Sequence, residues 1–68
     1  MKVSARNVFT GKITKVIKGT TTAHVLLDVG GTTITASITN ESVEDLGLKE
    51  GMEASAIIKS SDVIIAVK

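Results

Sequence analysis

Residues 23–39 read AHVLLDVGGTTITASIT, and this stretch decides the fold class. Apolar side chains recur at every second position on both sides of the glycine pair, which is the period of a strand with one buried face. The predicted core positions are Ala23, Val25, Leu27 and Val29 before the glycines, and Ile34, Ala36 and Ile38 after them. Gly30-Gly31 predicts a tight hairpin, because glycine tolerates the positive φ of primed turns. The stretch therefore predicts two antiparallel strands.

Residues 8–18, VFTGKITKVIK, predict another strand before this hairpin. By alternation, its core face carries Phe9, Gly11, Ile13 and Ile17, and its opposite face carries Val16. Gly11 predicts a bulge or a bend, which is common where a strand curves into a barrel.

The alternating strand pattern ends after the hairpin. Residues 40–47, NESVEDLG, predict a short helix with Asn40 as its N-cap and with Gly47 ending it in a left-handed conformation. Val43 and Leu46 are three positions apart, so both are predicted to face the core.

Two more strands are predicted beyond the helix, at residues 52–59 and 63–67, with a turn at 60–62 between them. Five strands with one short helix between the third and the fourth predict an all-β fold, a five-stranded OB-like barrel (of the oligonucleotide- and oligosaccharide-binding type). A length of 68 residues predicts a single domain over residues 1–68.

The composition indicates that this domain associates with itself. A chain of 68 residues buries little surface alone, and there is no cysteine for a disulfide. Hydrophobic residues make up 43% of the sequence although only one of them is aromatic. The predicted outer faces carry Val16, Leu26, Ile57 and Ile64, which an oligomer interface would cover. The alternative is scattered surface aliphatics, which are normal in a monomer.

Two polar segments are candidates for one anion-binding site: Ser4, Ala5, Arg6 and Asn7, and, far along the chain, Lys59, Ser60 and Ser61. Together they offer a guanidinium, an ammonium, hydroxyls and backbone N–H groups, which suit an anion better than an apolar core. The alternatives are a frayed polar N-terminus and an ordinary solvated turn. A second candidate oxyanion site is Lys18, Gly19 and Thr20, although any hairpin turn can have this composition. One His and no Cys predict no direct side-chain coordination of a metal.

The same motifs resemble the molbindin (Mop) family. The resemblance rests on SARN at residues 4–7, TAHV at 22–25, SVEDLGLKEG at 42–51 and IKSSDV at 58–63, in the family's order and spacing. It implies a small cytoplasmic protein that binds molybdate or tungstate for intracellular storage. It also implies a homo-oligomer, a hexamer built as a trimer of dimers. Each oxyanion would then lie between residues 4–7 of one subunit and 59–61 of another.

Other functions are weaker matches to the sequence. A nucleic-acid-binding OB module stacks bases on aromatic side chains and carries a basic groove, whereas this chain has one Phe and a net charge of +1. No nucleophile–base constellation and no phosphate loop occurs, so we predict that the protein is not an enzyme. No apolar run approaches the ~18 residues of a membrane span, so a membrane is not an expected partner. Nucleic acid is not an expected partner either, because of the single Phe and the low net charge.

Overall fold

The computed structural model describes residues 1–68 and contains four strands and one short helix. The elements are β1 (Asn7–Lys18), β2 (Thr22–Asp28), β3 (Thr33–Thr39), α1 (Asn40–Leu46) and β4 (Glu53–Ile58), followed by a 3₁₀ turn at Ser60–Asp62. The predicted all-β class is confirmed, and so is the position of the short helix after the third strand.

β1 is the strand around which the sheet is built, because it pairs with two neighbours in succession. Its first half, Asn7 to Lys12, pairs with β4, and its second half, Lys12 to Lys18, pairs with β2. All pairings are antiparallel, and the order of the sheet is β3-β2-β1-β4. A strand shared in this way makes the sheet curl, and it leaves β3 and β4 as free edges.

Gly11 lies where β1 passes from one neighbour to the other, and the space there admits no larger residue. A Cβ atom at this position would be 1.9 Å from the carbonyl oxygen of Asp28 and 3.0 Å from Cγ1 of Val29. The predicted irregularity in β1 is present just beyond this glycine, as a shift of register between Ile13 and Lys15. Glycine is therefore required by the close approach of two strands.

The register shift exchanges the two faces of β1. Ile13 is buried as predicted, but beyond it Val16 packs against the core while Ile17 is 47% exposed. Phe9, at the other end of the strand, is exposed too. The predicted core positions of Ile17 and Phe9 were wrong, and so was the predicted outward position of Val16. An extra residue in one strand moves every later side chain to the opposite face, which explains Val16 and Ile17. Phe9 precedes the shift, so the shift does not account for its exposure.

The core lies in the hollow of the curled sheet, beneath α1. Its fully buried members are Ile13, Ala23, Val25, Leu27 and Val43. The β2–β3 hairpin follows the sequence pattern closely, since Gly30 and Gly31 have φ values of 77° and 93°. This hairpin holds the predicted core faces of both strands against the same hollow.

α1 has a different N-cap from the one predicted. Thr39 is the N-cap, and its Oγ1 accepts a hydrogen bond of 3.0 Å from the backbone N–H of Ser42. Asn40 uses its side chain elsewhere, because its Nδ2 donates to the carbonyl oxygen of Gly19 at 2.9 Å. The assignment of Asn40 as the cap was therefore wrong, although the start of the helix moves by only one residue.

The C-terminal end of α1 confirms one prediction and contradicts another. Gly47 ends the helix in the left-handed conformation, with φ 63°, as predicted. Val43 is buried, but Leu46 is 63% exposed instead of facing the core. Leu46 borders an open groove in the hollow of the sheet, and no element of this chain covers it.

The predicted fifth strand is absent, and the barrel is not closed. Residues 63–67 form no regular structure and extend into solvent, where Ile64 is 90% and Val67 is 91% exposed. The prediction failed because a strand exists only when a neighbour accepts and donates its backbone hydrogen bonds. The fold of the single chain is thus an open, curled, four-stranded sheet.

No helix in this structure has the length and the apolar character needed to span a lipid bilayer.

Candidate functional site

The two polar segments predicted from the sequence meet at one end of the β1–β4 pair. Asn7 is the first residue of β1 and pairs with Ile58, the last residue of β4. The side-chain Nδ2 of Asn7 donates to the carbonyl oxygen of Ile58 at 3.2 Å and lies 3.5 Å from Oγ of Ser60. Asn7 of the first segment and Ser60 of the second therefore meet within one chain, whereas the resemblance implied that different subunits supply the two segments.

The donors of this site remain available to a ligand. The side chains of Ser4, Arg6, Lys59, Ser60 and Ser61 are exposed, and Ala5 and Asn7 are half-buried. No backbone carbonyl accepts a hydrogen bond from the N–H of Ala5 or Arg6. The single ion pair of the chain lies elsewhere, so neither Arg6 nor Lys59 has an internal counter-ion. The site thus holds two cationic groups whose charges are not neutralised by the fold.

The turn after β4 fixes the position of the hydroxyl groups. The backbone N–H of Asp62 donates to the carbonyl of Lys59 at 2.9 Å, and that of Val63 donates to the carbonyl of Ser60 at 3.3 Å. These bonds close the 3₁₀ turn around Ser61. Neither segment contains an acidic residue, and Asp62 follows directly after the second one. The turn presents two adjacent serine hydroxyls, which rotate to suit an anionic oxygen.

The second candidate site, at residues 18–20, is tied more closely into the fold. Lys18 forms an ion pair with Glu44 of α1, and the backbone N–H of Gly19 donates to the carbonyl of Thr22 at 2.7 Å. The carbonyl of Gly19 accepts from Asn40. Of the three predicted residues, Thr20 alone makes no such contact. Binding of an anion here stays a prediction, and such binding would compete with the Lys18–Glu44 pair.

This ion pair yields a pH-dependent prediction. The hydrogen bond from Lys18, and then its charge, holds the pKa of Glu44 below its ordinary value. A lowered carboxyl pKa stabilises the fold above the unfolded-state pKa, and this contribution is lost as the pH falls through the folded-state value. NMR titration of the Glu44 carboxyl is expected to show the low pKa, and Lys18→Ala is expected to raise it.

A matched control for that titration is Lys15→Ala, which removes the same charge from an exposed position of β1 that makes no ion pair. It is expected to leave the pKa of Glu44 unchanged. Equal shifts in both variants would contradict the assignment of the ion pair. The effect of either variant on stability is expected to be small, because the pair is solvent-exposed.

Asn7 has a role that sequence reasoning did not assign to it. It was expected to be one donor among several, whereas it physically joins the two polar segments. This role of Asn7 follows from the pairing register of β1 with β4, which brings together residues 51 positions apart. Local sequence patterns do not carry that register.

Comparison with known proteins identifies the family. The model of the TOBE domain matches residues 3–65. Molybdenum-pterin-binding protein 3 of Clostridium pasteurianum is 52% identical over 66 residues, covering 96% of this chain and 97% of that protein. The chain belongs to the Mop group of the TOBE-domain family. The resemblance noted from residues 4–7, 22–25, 42–51 and 58–63 is confirmed.

Solved structures of other proteins share the fold of this Mop-family chain. A molybdate-binding protein from Sporomusa ovata has a TM-score of 0.93 at 34% identity, covering 98% of this chain and 100% of that one. ModG, described as a cytoplasmic molybdate-binding protein and solved with molybdate bound, has a TM-score of 0.90 at 48% identity. That match covers 94% of this chain and 46% of ModG.

Proposed function

We propose that this Mop-family protein binds molybdate, and tungstate as an ion of nearly the same size and charge, for intracellular storage and homeostasis. The observation that carries the proposal is the contact of Asn7 with Ile58 and Ser60, which joins two donor-rich segments. Solved proteins with the same fold include molybdate-binding proteins. Molybdate is the ligand, and the protein itself is proposed to catalyse no reaction.

The chemistry of the segments suits a tetrahedral dianion. Burial of such an ion is costly unless many donors replace its water, and positive charge lowers the cost further. Arg6 offers a planar fork of N–H donors, and Lys59 offers a compact ammonium. Ser4, Ser60 and Ser61 add hydroxyls. The free N–H groups of Ala5 and Arg6 provide donors that need no side chain.

The proposed site lies at an interface between subunits of a homo-oligomer, a hexamer arranged as a trimer of dimers. Apolar side chains on the outer surface support self-association: Val8, Ile17, Ile57 and the apolar residues of 63–67 are exposed in the single chain. A cytoplasmic location is proposed by analogy with ModG. A site between subunits would exclude water from an anion that the exposed segments of one chain leave solvated.

The test is elemental analysis of the purified protein, followed by calorimetric titration with molybdate, tungstate and sulfate in separate runs. We expect saturable binding of molybdate and tungstate, and sedimentation at about six times the 7.1 kDa mass of the chain. A single-stranded oligonucleotide is titrated at physiological salt as a further arm. Salt-resistant capture of the oligonucleotide with no heat from either metal oxyanion would overturn the proposal.

A further inference from the structure

The side-chain amide of Asn7 faces two oxygen atoms at the junction of the two polar segments. Its Nδ2 donates to the carbonyl oxygen of Ile58 at 3.2 Å and lies 3.5 Å from Oγ of Ser60, the outer limit of a hydrogen bond. A carbonyl oxygen can only accept, so the contact with Ile58 assigns the nitrogen end of the amide to this side. The NH2 group, with its two hydrogens, is therefore the part of Asn7 that faces Ser60.

This contact determines the direction in which the Ser60 hydroxyl acts. An amide nitrogen donates and does not accept, so the hydroxyl oxygen of Ser60 accepts from Asn7 and its proton turns elsewhere. Oγ of Ser60 takes part in no other hydrogen bond of the chain. The proton of this hydroxyl is therefore free for a ligand, and the hydroxyl is oriented as a donor before the ligand arrives.

The other groups proposed to hold the ligand are mostly donors as well. The guanidinium of Arg6, the ammonium of Lys59 and the backbone N–H groups all donate and cannot accept. The hydroxyls of Ser4 and Ser61 make no hydrogen bond within the chain and can turn either way. Such a set of donors satisfies an anion whose oxygens are all acceptors. A protonated oxygen placed against a fixed donor loses its hydrogen bond.

We propose that Asn7 determines specificity, by orienting the Ser60 hydroxyl as a donor and so favouring tetrahedral dianions without a proton over those that carry one. Molybdate, tungstate and sulfate carry no proton at neutral pH. Hydrogen phosphate has the same charge and nearly the size of sulfate, but one of its oxygens keeps a proton that needs an acceptor. The location of this selection, at residues 4–7 and 59–61, rests on the proposed function.

The test compares sulfate with hydrogen phosphate, because the two dianions differ by one proton. Each is titrated into isotope-labelled protein at mildly alkaline pH, and the backbone N–H signals of Ala5, Arg6 and Ser61 report binding by NMR. We expect the unmodified protein to bind sulfate more tightly than hydrogen phosphate. A site that offers only donors discriminates against a ligand that must donate, as any site with unpaired polar groups does.

Asn7→Asp replaces the donor by an acceptor. The Ser60 hydroxyl then donates to the new carboxylate and presents its oxygen to the ligand. The ratio of the sulfate affinity to the hydrogen phosphate affinity is expected to fall roughly tenfold. The added negative charge repels both dianions equally, so its effect cancels in the ratio. Asn7→Ala removes the amide without supplying an acceptor, and its ratio is expected to fall less.

A second pair of variants shows whether Asn7 acts through Ser60. In the double variant Asn7→Asp/Ser60→Ala, the fall in the ratio is expected to disappear. The matched control is Asn7→Asp/Ser61→Ala, because Ser61 is the neighbouring hydroxyl and makes no contact with Asn7. This control is expected to keep the full fall. A fall that persists without the Ser60 hydroxyl would overturn the proposal.

A cycle without any added charge covers the case in which Asn7→Asp does not fold. The losses of sulfate affinity in Asn7→Ala and Ser60→Ala are expected to be non-additive when the two are combined. Additive losses would overturn the proposal.

A purely structural role of Asn7 gives a different result. Loosening of the β1–β4 end would lower both affinities together and leave their ratio unchanged in Asn7→Asp, and that outcome would contradict a role in specificity. Equal binding of the two anions by the unmodified protein, or binding of neither, would contradict it as well. A preference for sulfate over hydrogen phosphate without any binding of molybdate would contradict the proposed function alone.

Discussion

Arg6→Ala is expected to weaken the binding of molybdate roughly 30- to 1,000-fold, which corresponds to about 2–4 kcal/mol. Arg6 directly precedes the Asn7–Ile58 pair in the chain, and its guanidinium has no counter-ion in the fold, so its charge and its directed donors are available to the ligand. Its removal leaves a desolvated anion short of charge-assisted hydrogen bonds. Calorimetric titration with molybdate measures the effect directly.

Three further variants calibrate that result. Lys15→Ala removes the same charge from a position remote from both polar segments in the sequence and is expected to bind molybdate normally. The affinity of Lys59→Ala for molybdate is expected to lie between the affinities of that control and of Arg6→Ala. Ser61→Thr keeps the hydroxyl and is expected to bind molybdate almost normally. Equal affinities for Arg6→Ala and the unmodified protein would remove Arg6 from the site.

Mixed oligomers test how the donors are divided between subunits. If residues 4–7 and 59–61 of different chains share an anion, mixing Arg6→Ala chains with Lys59→Ala chains restores some complete sites. If the intrachain contact between Asn7 and Ser60 defines the whole site, every site in the mixture stays defective. Partial recovery of high-affinity binding therefore supports sharing, and its absence assigns the site to one chain.

Gly11→Ala is expected to destabilise the fold by about 3 kcal/mol or more, which is large for a small domain. The added methyl group would lie 1.9 Å from the carbonyl oxygen of Asp28, and a backbone atom in a paired strand has little freedom to move away. β1 and β2 must separate to admit it, which weakens their hydrogen bonds. Urea unfolding at a fixed protein concentration, without molybdate, measures the loss.

The control for this prediction is Gly31→Asn in the hairpin turn. A Cβ there meets nothing within 4 Å, and asparagine tolerates the positive φ of 93° better than other residues. Gly31→Asn is expected to lower the free energy of unfolding far less than Gly11→Ala does. A loss of stability in Gly11→Ala no larger than that in Gly31→Asn would contradict the steric requirement for glycine at position 11.

The parts of the fold that the sequence predicts well depend on local chemistry. The hairpin around Gly30-Gly31 forms because two adjacent residues tolerate positive φ, and Gly47 ends α1 for the same reason. The alternation in β2 and β3 survives because no bulge interrupts it. In each case, the residues that decide the structure lie within a few positions of one another.

The predictions that failed concern residues whose structure depends on a distant part of the chain. The faces of β1 depend on a register shift that exists only when β2 is paired. Thr39 and Asn40 are both good N-caps, and the carbonyl of Gly19, 21 residues away, engages the second of them. Residues 63–67 have the composition of a strand but no partner strand in their own chain. The same limit applies to the site, since its segments were predicted and their meeting at Asn7 was not.

The pairing of β1 with β4 has a consequence for the order in which the molecule folds. The hairpin between β2 and β3 closes across a very short loop, whereas Asn7 reaches Ile58 only after 51 residues of chain have been brought together. The entropic cost of closing a loop grows with its length, so the hairpin is favoured as an early contact and the β1–β4 end as a late one. Because the polar segments meet at that late contact, the partly folded chain has no site. We therefore expect a ligand bound there to slow unfolding more than it accelerates folding.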